Sequence, residues 1–433
     1  MELRMQLASK AVYAKKRRRD SIPMAIESRG YPRMTVTQKA ERSIKNGHPW
    51  VYGGEVVQID GEPQDGGLAD VLSPKGSYLG TGLVNRHSKI LVRLLSRNAN
   101  DRFDEGFFRR RIAYALDYRQ AVMGTDFACC RLIFGEADQL PGLTVDRFSD
   151  ILVTQILSLG MEQRKPLLFR LLVEEMEKRG ARPRAIYERN DVAIRELEGM
   201  EQGKGFVEMD GLETELSGHV EICENGVYYD VDYMEGQKTG FFLDQKYNRQ
   251  AVARLAKGRR VLDCFTHTGA FALNAAKGGA AQVTAVDISA SAIDLCKANA
   301  ARNGIEGMAF LVADVFALLE EMGGQKKSPY DFIILDPPAF TKTRAAVASA
   351  ARGYKEINLR AMKLLRDGGY LITCSCSQHI LPQMFQGIVQ SAAADTHTHL
   401  QQVEFRTQGR DHPILPALPE TQYLKCGIYR VER

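Results

Sequence analysis

Four acids, each near the end of an apolar run, are the residues of this chain whose types and spacing could do chemistry. Arg260-Val-Leu ends at Asp263 and turns through Phe265-Thr-His-Thr-Gly269 into the small-residue stretch Ala270 to Gly278. Val283-Thr-Ala-Val then ends at Asp287. Ala313-Asp314 follows a third run, and Phe332-Ile-Ile-Leu ends at Asp336. One acid at a strand end mostly caps a helix. Four in register point to a shared ligand outside the C-terminal strand ends, at a switch point of an α/β sheet. A strand, turn, helix, strand unit with an acid ending its second strand is the layout that holds a ribose diol. The Gly-x-Gly-x-x-Gly dinucleotide fingerprint is missing. A nucleoside cofactor without a pyrophosphate fits better, and S-adenosylmethionine is the one expected. Asp287 would accept the ribose hydroxyls and Asp314 would meet the adenine amino group. Gly269 would let backbone approach the cofactor, and Asp263 more often organises such a turn than touches ligand.

Asp336-Pro-Pro-Ala-Phe340 adds a rigid, extended loop with few backbone donors. Such a loop suits a planar base, held at its edge by Asp336 and on its face by Phe340; otherwise it is a stiff turn. The run Gly369-Tyr-Leu-Ile-Thr-Cys374-Ser-Cys376 carries two thiols to a strand end. A strand cysteine is commonly inert packing. A thiolate at Cys374 could instead attack carbon 6 of a pyrimidine and make carbon 5 nucleophilic, because cysteine is both nucleophile and leaving group. Asp336 would hydrogen-bond the ring edge as charge develops there. Cys376, two residues on, is the lesser candidate. Gly236-Gln-Lys-Thr-Gly-Phe-Phe-Leu-Asp-Gln245 has the wrong order for a phosphate loop. It would lay Phe241 or Phe242, with Asp244 and Gln245, across the open side of the cofactor. His267 reads as a turn hydrogen bond before an acid or base.

The elements that must position these residues follow from periodicity. Strands near 260–264, 283–287, 309–312, 331–336 and 369–374 alternate with helices near 270–278, 290–303, 315–322 and 353–366, which argues for a parallel doubly wound sheet. The last two strands fall near 400–406 and 423–431. Asn225-Gly226 between two apolar runs predicts a hairpin over 218–233. Upstream, residues 35–97 read as short strands with glycine turns, the pattern of a small barrel. A helix over 104–123, strands near 131–134, 143–146, 151–157 and 185–188, and a helix over 165–179 make a compact α+β segment.

The chain has 433 residues and a net charge of +5, but that charge is local. Residues 1–33 hold nine basic and three acidic groups, and the remaining 400 are close to neutral. Lys15-Lys-Arg-Arg-Arg19 is read as a disordered extension, an upstream start before Met34, or a nucleic-acid arm. No run approaches a membrane span. Eight scattered cysteines form no zinc pattern, so no metal and a reducing, cytoplasmic setting are expected.

Lys45-Asn-Gly-His-Pro-Trp-Val-Tyr52, Gly135 to Asp146, Tyr187-Glu-Arg-Asn-Asp191, Gly236 to Gln245, Asp336 to Phe340, Thr373-Cys-Ser-Cys376 and His412 to Thr421 together resemble one family. It is the bacterial large-subunit ribosomal RNA cytosine-5 methyltransferases with an N-terminal PUA domain, matched over about residues 34–433. The resemblance implies an extension at 1–33, a PUA RNA-binding barrel at 34–100, a central α+β domain at 101–216, and a Rossmann-like class I methyltransferase domain at 217–433. It implies methyl transfer from S-adenosylmethionine to a cytosine of 23S rRNA, with Cys374 as nucleophile and Asp336 assisting. Pro337-Pro338 stand where small-subunit enzymes carry a Pro-Cys pair, so the group that removes the carbon 5 proton is unassigned. The candidate cofactor set is Phe242, Asp244, Gln245, Asp263, Phe265, Gly269, Asp287, Ile288, Asp314, Val315 and Asp336. The candidate substrate set is Pro337, Pro338, Phe340, Lys238, Arg86 and Lys89, with His87 and Arg93 beside the last two. Barrel edge strands could support a homodimer. Two other functions compete: methylation of an exocyclic amino group of guanine or adenine, and a non-catalytic RNA-binding assembly factor.

Overall fold

The computed structural model describes residues 29–323 and 329–433. The basic run Lys15 to Arg19 lies outside the described residues. The first sheet contains β1 (Arg33–Val36), β2 (Trp50–Tyr52), β3 (Val56–Asp60), β4 (Leu68–Leu72), β5 (Tyr78–Val84) and β6 (Ile90–Ser96), in the order β2-β6-β5-β4-β1-β3. The strands expected at Trp50, Ala69, Tyr78 and Ile90 are β2, β4, β5 and β6. Missing from that reading were β1, β3 and the helix Gln38–Lys45, whose Thr37 cap accepts the Ala40 N–H at 3.2 Å. The barrel also begins earlier than Met34. Arg33 pairs with Asp60 and Asp70 in the sheet, and the Arg29 guanidinium binds the buried Asp70 carboxylate.

The second sheet contains β7 (Cys129–Phe134), β8 (Leu143–Phe148), β9 (Ile151–Ile156), β10 (Ala185–Arg189) and β11 (Lys204–Phe206), in the order β11-β10-β9-β8-β7. The helices Glu105–Met123 and Lys165–Glu177 pack their apolar faces on it. Asp104 starts the first by accepting the Phe107 N–H at 3.0 Å.

Next comes the hairpin of β12 (His219–Glu224) and β13 (Val227–Asp232). Asn225 and Gly226 both have positive φ, 55° and 76°, as a tight two-residue turn of this hand requires. The third sheet contains β14 (Arg260–Cys264), β15 (Gln282–Asp287), β16 (Ala309–Val312), β17 (Phe332–Leu335), β18 (Tyr370–Ser375), β19 (His399–Arg406) and β20 (Lys425–Glu432). Its order is β16-β15-β14-β17-β18-β20-β19. The first five strands are parallel. The last two strands, whose direction the periodicity does not give, make the sheet mixed: β20 inserts between β18 and β19, antiparallel to both. The helices Lys246–Leu255 and Pro382–Asp395 were also unforeseen. The chain runs outward through β15 and β16, then returns to the other side of β14. That reversal between β14 and β17 makes the crevice where such sheets bind ligands.

Buried polar contacts join the three parts. Arg93 of the barrel bridges Glu136 at 3.0 Å and Glu198 at 2.8 Å in the central domain. Arg119, fully buried, pairs with Asp138 and donates to the Asp411 carbonyl at 3.0 Å. Arg249 and Glu224 form a buried bidentate pair at 2.6 and 2.9 Å that fixes the hairpin to the helix beside the crevice. Breaking such a pair leaves an uncompensated buried charge. Arg249→Met is expected to cost about 3–5 kcal/mol in chemical denaturation; a loss below about 1 kcal/mol would mean that water reaches Glu224.

Candidate active site

A cleft of about 310 Å³ opens at the switch point. The turn after β14 forms one wall. Asp263, fully buried, accepts the Thr266 hydroxyl at 2.6 Å and the Ala272 N–H at 2.9 Å. To close this turn, Phe265 and His267 adopt left-handed backbone at φ 63° and 51°, a strained choice for non-glycine residues and common at functional sites. Gly269 is also left-handed, at φ 85°. A Cβ there would lie 2.4 Å from the Cys296 sulfur. The glycine therefore serves close packing against the helix Ala290–Arg302.

Asp287 ends β15 with both oxygens engaged by backbone: the His267 N–H donates at 2.9 Å and the Ser289 N–H at 2.9 Å. The carboxylate lines the cleft in one orientation, with acceptor capacity left for a diol. Ile288 beside it is 69% exposed, an apolar side chain at the cleft. The Phe242 ring meets His267 edge-on at 5.3 Å, and Lys238 Nζ sits 4.6 Å from the Phe242 centroid. All of these residues, with Phe265, line the cleft.

The opposite wall is acidic. Asp336 accepts from Gln245 Nε2 at 3.0 Å, and Asp244 accepts the Tyr423 hydroxyl at 2.7 Å. Burial pushes Asp263 and Asp336 up to about 7. Neighbouring carboxylates add to both shifts: Asp336 and Asp287 act on Asp263, and Asp244 acts on Asp336. Burial also raises Asp244, but Lys238, His412 and the Tyr423 hydrogen bond outweigh it and leave that acid below its usual value. One buried oxygen of Asp244 and one of Asp263 have no hydrogen-bond partner. Carboxylates crowded into a cleft with unmet acceptors favour a cationic ligand. A nucleoside bearing a sulfonium and an ammonium supplies that charge, a diol for Asp287 and an apolar ring for Ile288 and Phe265. The residues present fit S-adenosylmethionine.

Several candidates lie elsewhere. Cys374 is wholly buried in the core with Ile372, Ile428 and Cys426. Contact with Cys426 comes first, then burial, in driving its thiol well above the ordinary range. It is not among the residues that line the cleft. Cys376 lines the cleft, beside Asp336, Pro337, Pro338 and Lys238. Phe340 does not face the cleft: its ring packs 4.4 Å from Tyr354 and 6.0 Å from Phe316. Val315 is buried in the same core layer. Asp314 is exposed and caps a helix, accepting the Ala317 N–H at 2.9 Å. Arg86 is exposed but held bidentate by Asp65, while Lys89 is exposed on the barrel. Arg93 is structural, as described above. Sequence reading missed Thr266, Arg249 and Leu424 in the cleft lining. Nothing in their local pattern marks them, although Arg249 lies one helical turn past Gln245.

Five parallel strands, a reversed strand inserted near the far edge, and a nucleoside crevice at the switch point define a class I S-adenosylmethionine-dependent methyltransferase. Residues 206–425 match the family described as S-adenosylmethionine-dependent methyltransferase, and residues 34–97 match the PUA-like domain. The chain belongs to the family of ribosomal RNA large subunit methyltransferase I. It is 40% identical to the protein of that name from Aeromonas salmonicida, over 90% of this chain and 97% of that one. It is also 40% identical to the one from Shewanella denitrificans, over 92% of this chain and 99% of that one. A solved S-adenosylmethionine-dependent methyltransferase from Streptococcus mutans shares the fold, with TM-score 0.76 and 21% identity over 92% of this chain and 99% of that one. Among the described residues no helix is long and apolar enough to cross a membrane, and no cluster of His, Cys, Asp or Glu could hold a metal.

The acid cluster sets a sign for ligand binding. Asp263, behind the cleft wall and bonded to the lining residue Thr266, is raised to about 7, and a cation in the cleft favours its charged form. Binding of S-adenosylmethionine at pH 6.5 is expected to release protons. Calorimetry in buffers of different ionisation enthalpy measures this, and proton uptake would contradict the assigned cluster.

Proposed function

We propose that this enzyme transfers a methyl group from S-adenosylmethionine to carbon 5 of a cytosine in 23S ribosomal RNA, with Cys376 as the nucleophile in place of Cys374. The observation that carries this reading is that Cys376, Asp336 and Pro337-Pro338 share one cleft with the diol acceptor Asp287. The family supports ribosomal RNA as the substrate, and the PUA-like barrel supplies an RNA-binding module.

S-adenosylmethionine, when bound, supplies an electrophilic methyl group. The residues of the chain prepare the base. The Cys376 thiolate forms a bond to carbon 6, and the electrons of the 5,6 double bond move toward carbon 5 and the N3 edge. Asp336, protonated up to about pH 7, donates to that edge, while its ionised form would repel the growing charge. The rigid Pro337-Pro338 segment limits how the ring can lie. Carbon 5 takes the methyl group as the methyl–sulfonium bond breaks, leaving the neutral thioether. The carbon 5 proton then passes to solvent water, the 5,6 double bond re-forms and expels the sulfur as thiolate, and the N3-edge proton returns to Asp336. Asp314 and Ile288 would receive the adenine, and Lys238, Lys89 and Arg86 the RNA phosphates. Amino-group methylation needs no thiolate, so the same experiment separates the two chemistries.

RNA carrying 5-fluorocytidine at the target is expected to trap a covalent adduct on the wild-type enzyme and on Cys374→Ser. Cys376→Ser should form none and lose methyl transfer by about a thousandfold or more. Full activity in Cys376→Ser would overturn the mechanism. The pH profile supplies a separate check. The useful form of Asp336 is lost above about 7 while the Cys376 thiolate, raised by burial, still grows, so kcat/KM should rise with pH and level off above about 7. Asp336→Asn, neutral at every pH, should remove that levelling and let kcat/KM go on rising, at a reduced rate; an unchanged break near 7 would show that another group controls it.

A further inference from the structure

Lys425 opens β20, and its side chain is wholly buried. Its ammonium donates to the carbonyl oxygens of Ser377 at 2.7 Å and Tyr423 at 2.8 Å. Both partners are neutral, and among the described residues no carboxylate pairs with it. A buried ammonium with only neutral partners is costly. Burial accordingly pulls Lys425 down to about 8, and the charge that works in the opposite direction is that of Cys376. The register explains the closeness: Lys425 pairs with Ser375, and its bond to the Ser377 carbonyl spans the turn that carries Cys376 into the cleft.

The charges facing the Cys376 sulfur come from four elements. Burial raises its thiol most, Asp336 and Asp244 add to that, and Lys238 and Lys425 oppose it, with a net upward shift. Lys238 is exposed on a loop, so its charge is screened by solvent. Lys425 is fixed and dry.

We propose that Lys425 is the built-in counter-charge of the Cys376 thiolate, a positioning residue that offsets burial and the two neighbouring acids and holds the turn so that the sulfur faces the base. This rests on the reading of Cys376 as nucleophile. Two duties follow from one side chain: the carbonyl bonds orient the sulfur, and the charge makes its ionised form accessible.

The test is the pH dependence of iodoacetamide alkylation at Cys376 in the full chain. Mass spectrometry of the Cys376 peptide gives the profile, with exposed Cys223 as internal standard. In the wild type the Cys376 midpoint should lie within about one unit of that of Cys223. Lys425→Met should raise it by about one unit or more, slowing alkylation at neutral pH by about tenfold. Lys425→Arg, which keeps the charge, should restore most of the rate, and kcat should track the thiolate fraction while KM for RNA holds. A folded Lys425→Met with an unmoved midpoint would overturn the proposal and leave Lys425 as a structural pin. If Lys425→Met does not fold, a wild-type midpoint more than about two units above that of Cys223 overturns it as well. Alkylation is independent of catalysis. A shifted midpoint together with an active Cys376→Ser would sink the nucleophile and keep the coupling.

Discussion

Mutual repulsion among carboxylates in a poorly solvated cleft is the constraint on which the C-terminal domain turns. Asp244, Asp263, Asp287 and Asp336 come from three separate strand ends and the loop before the sheet. Each is treated differently. Two backbone N–H groups hold Asp287. The Tyr423 hydroxyl, with Lys238 and His412 nearby, keeps Asp244 charged. Asp263 and Asp336 are left raised to about 7. One fold thus sets neighbouring acids to different ionisation by changing only burial and neighbours. The strained turn at Phe265 and His267 belongs to the same economy, because the His267 N–H that orients Asp287 points correctly only from that left-handed backbone.

The barrel and central domain are not loosely tethered. Trp50 Nε1 donates to Glu136 at 2.8 Å, and Arg93 binds the same carboxylate. Gly47 packs so closely on Ala417 that an added Cβ would come within 2.7 Å. The Tyr52 hydroxyl is raised by burial first, then by Glu420, against Arg344. Glu420 and Arg344 belong to loops of the methyltransferase domain, one of them just past the Asp-Pro-Pro segment. The PUA-like domain is therefore set in a fixed relation to the loop that follows Pro338.

Much of this was legible in the sequence because it is local. Alternation of strands and helices, acids at strand ends and the Asn225-Gly226 turn each depend on near neighbours. Position along a strand is local too, but facing is not. Cys374 and Cys376 differ by two residues, so simple alternation would give them the same side; instead β18 ends at Ser375 and the chain turns. The earlier sulfur stays in the sheet packing and the later one enters the cleft. Phe340 was misread for a related reason: the apolar surface of Tyr354 and Phe316, distant in sequence, competes successfully for its ring. Arg93 looked like an RNA contact until its acidic partners, 43 and 105 residues away, came into view. Strand β3 escaped because its side chains are largely exposed, leaving no clean period.

The insertion of β20 between β18 and β19 has a consequence in time. During synthesis β18 emerges first and β19 next, with the slot between them unfilled. Lys425 and Cys426, which complete the wall behind both thiols, arrive only with the last strand of the sheet to leave the ribosome. The wall behind the cleft is thus the final piece of the domain to close, and until it does Cys374 and the turn that carries Cys376 lack the strand that pairs with and pins them.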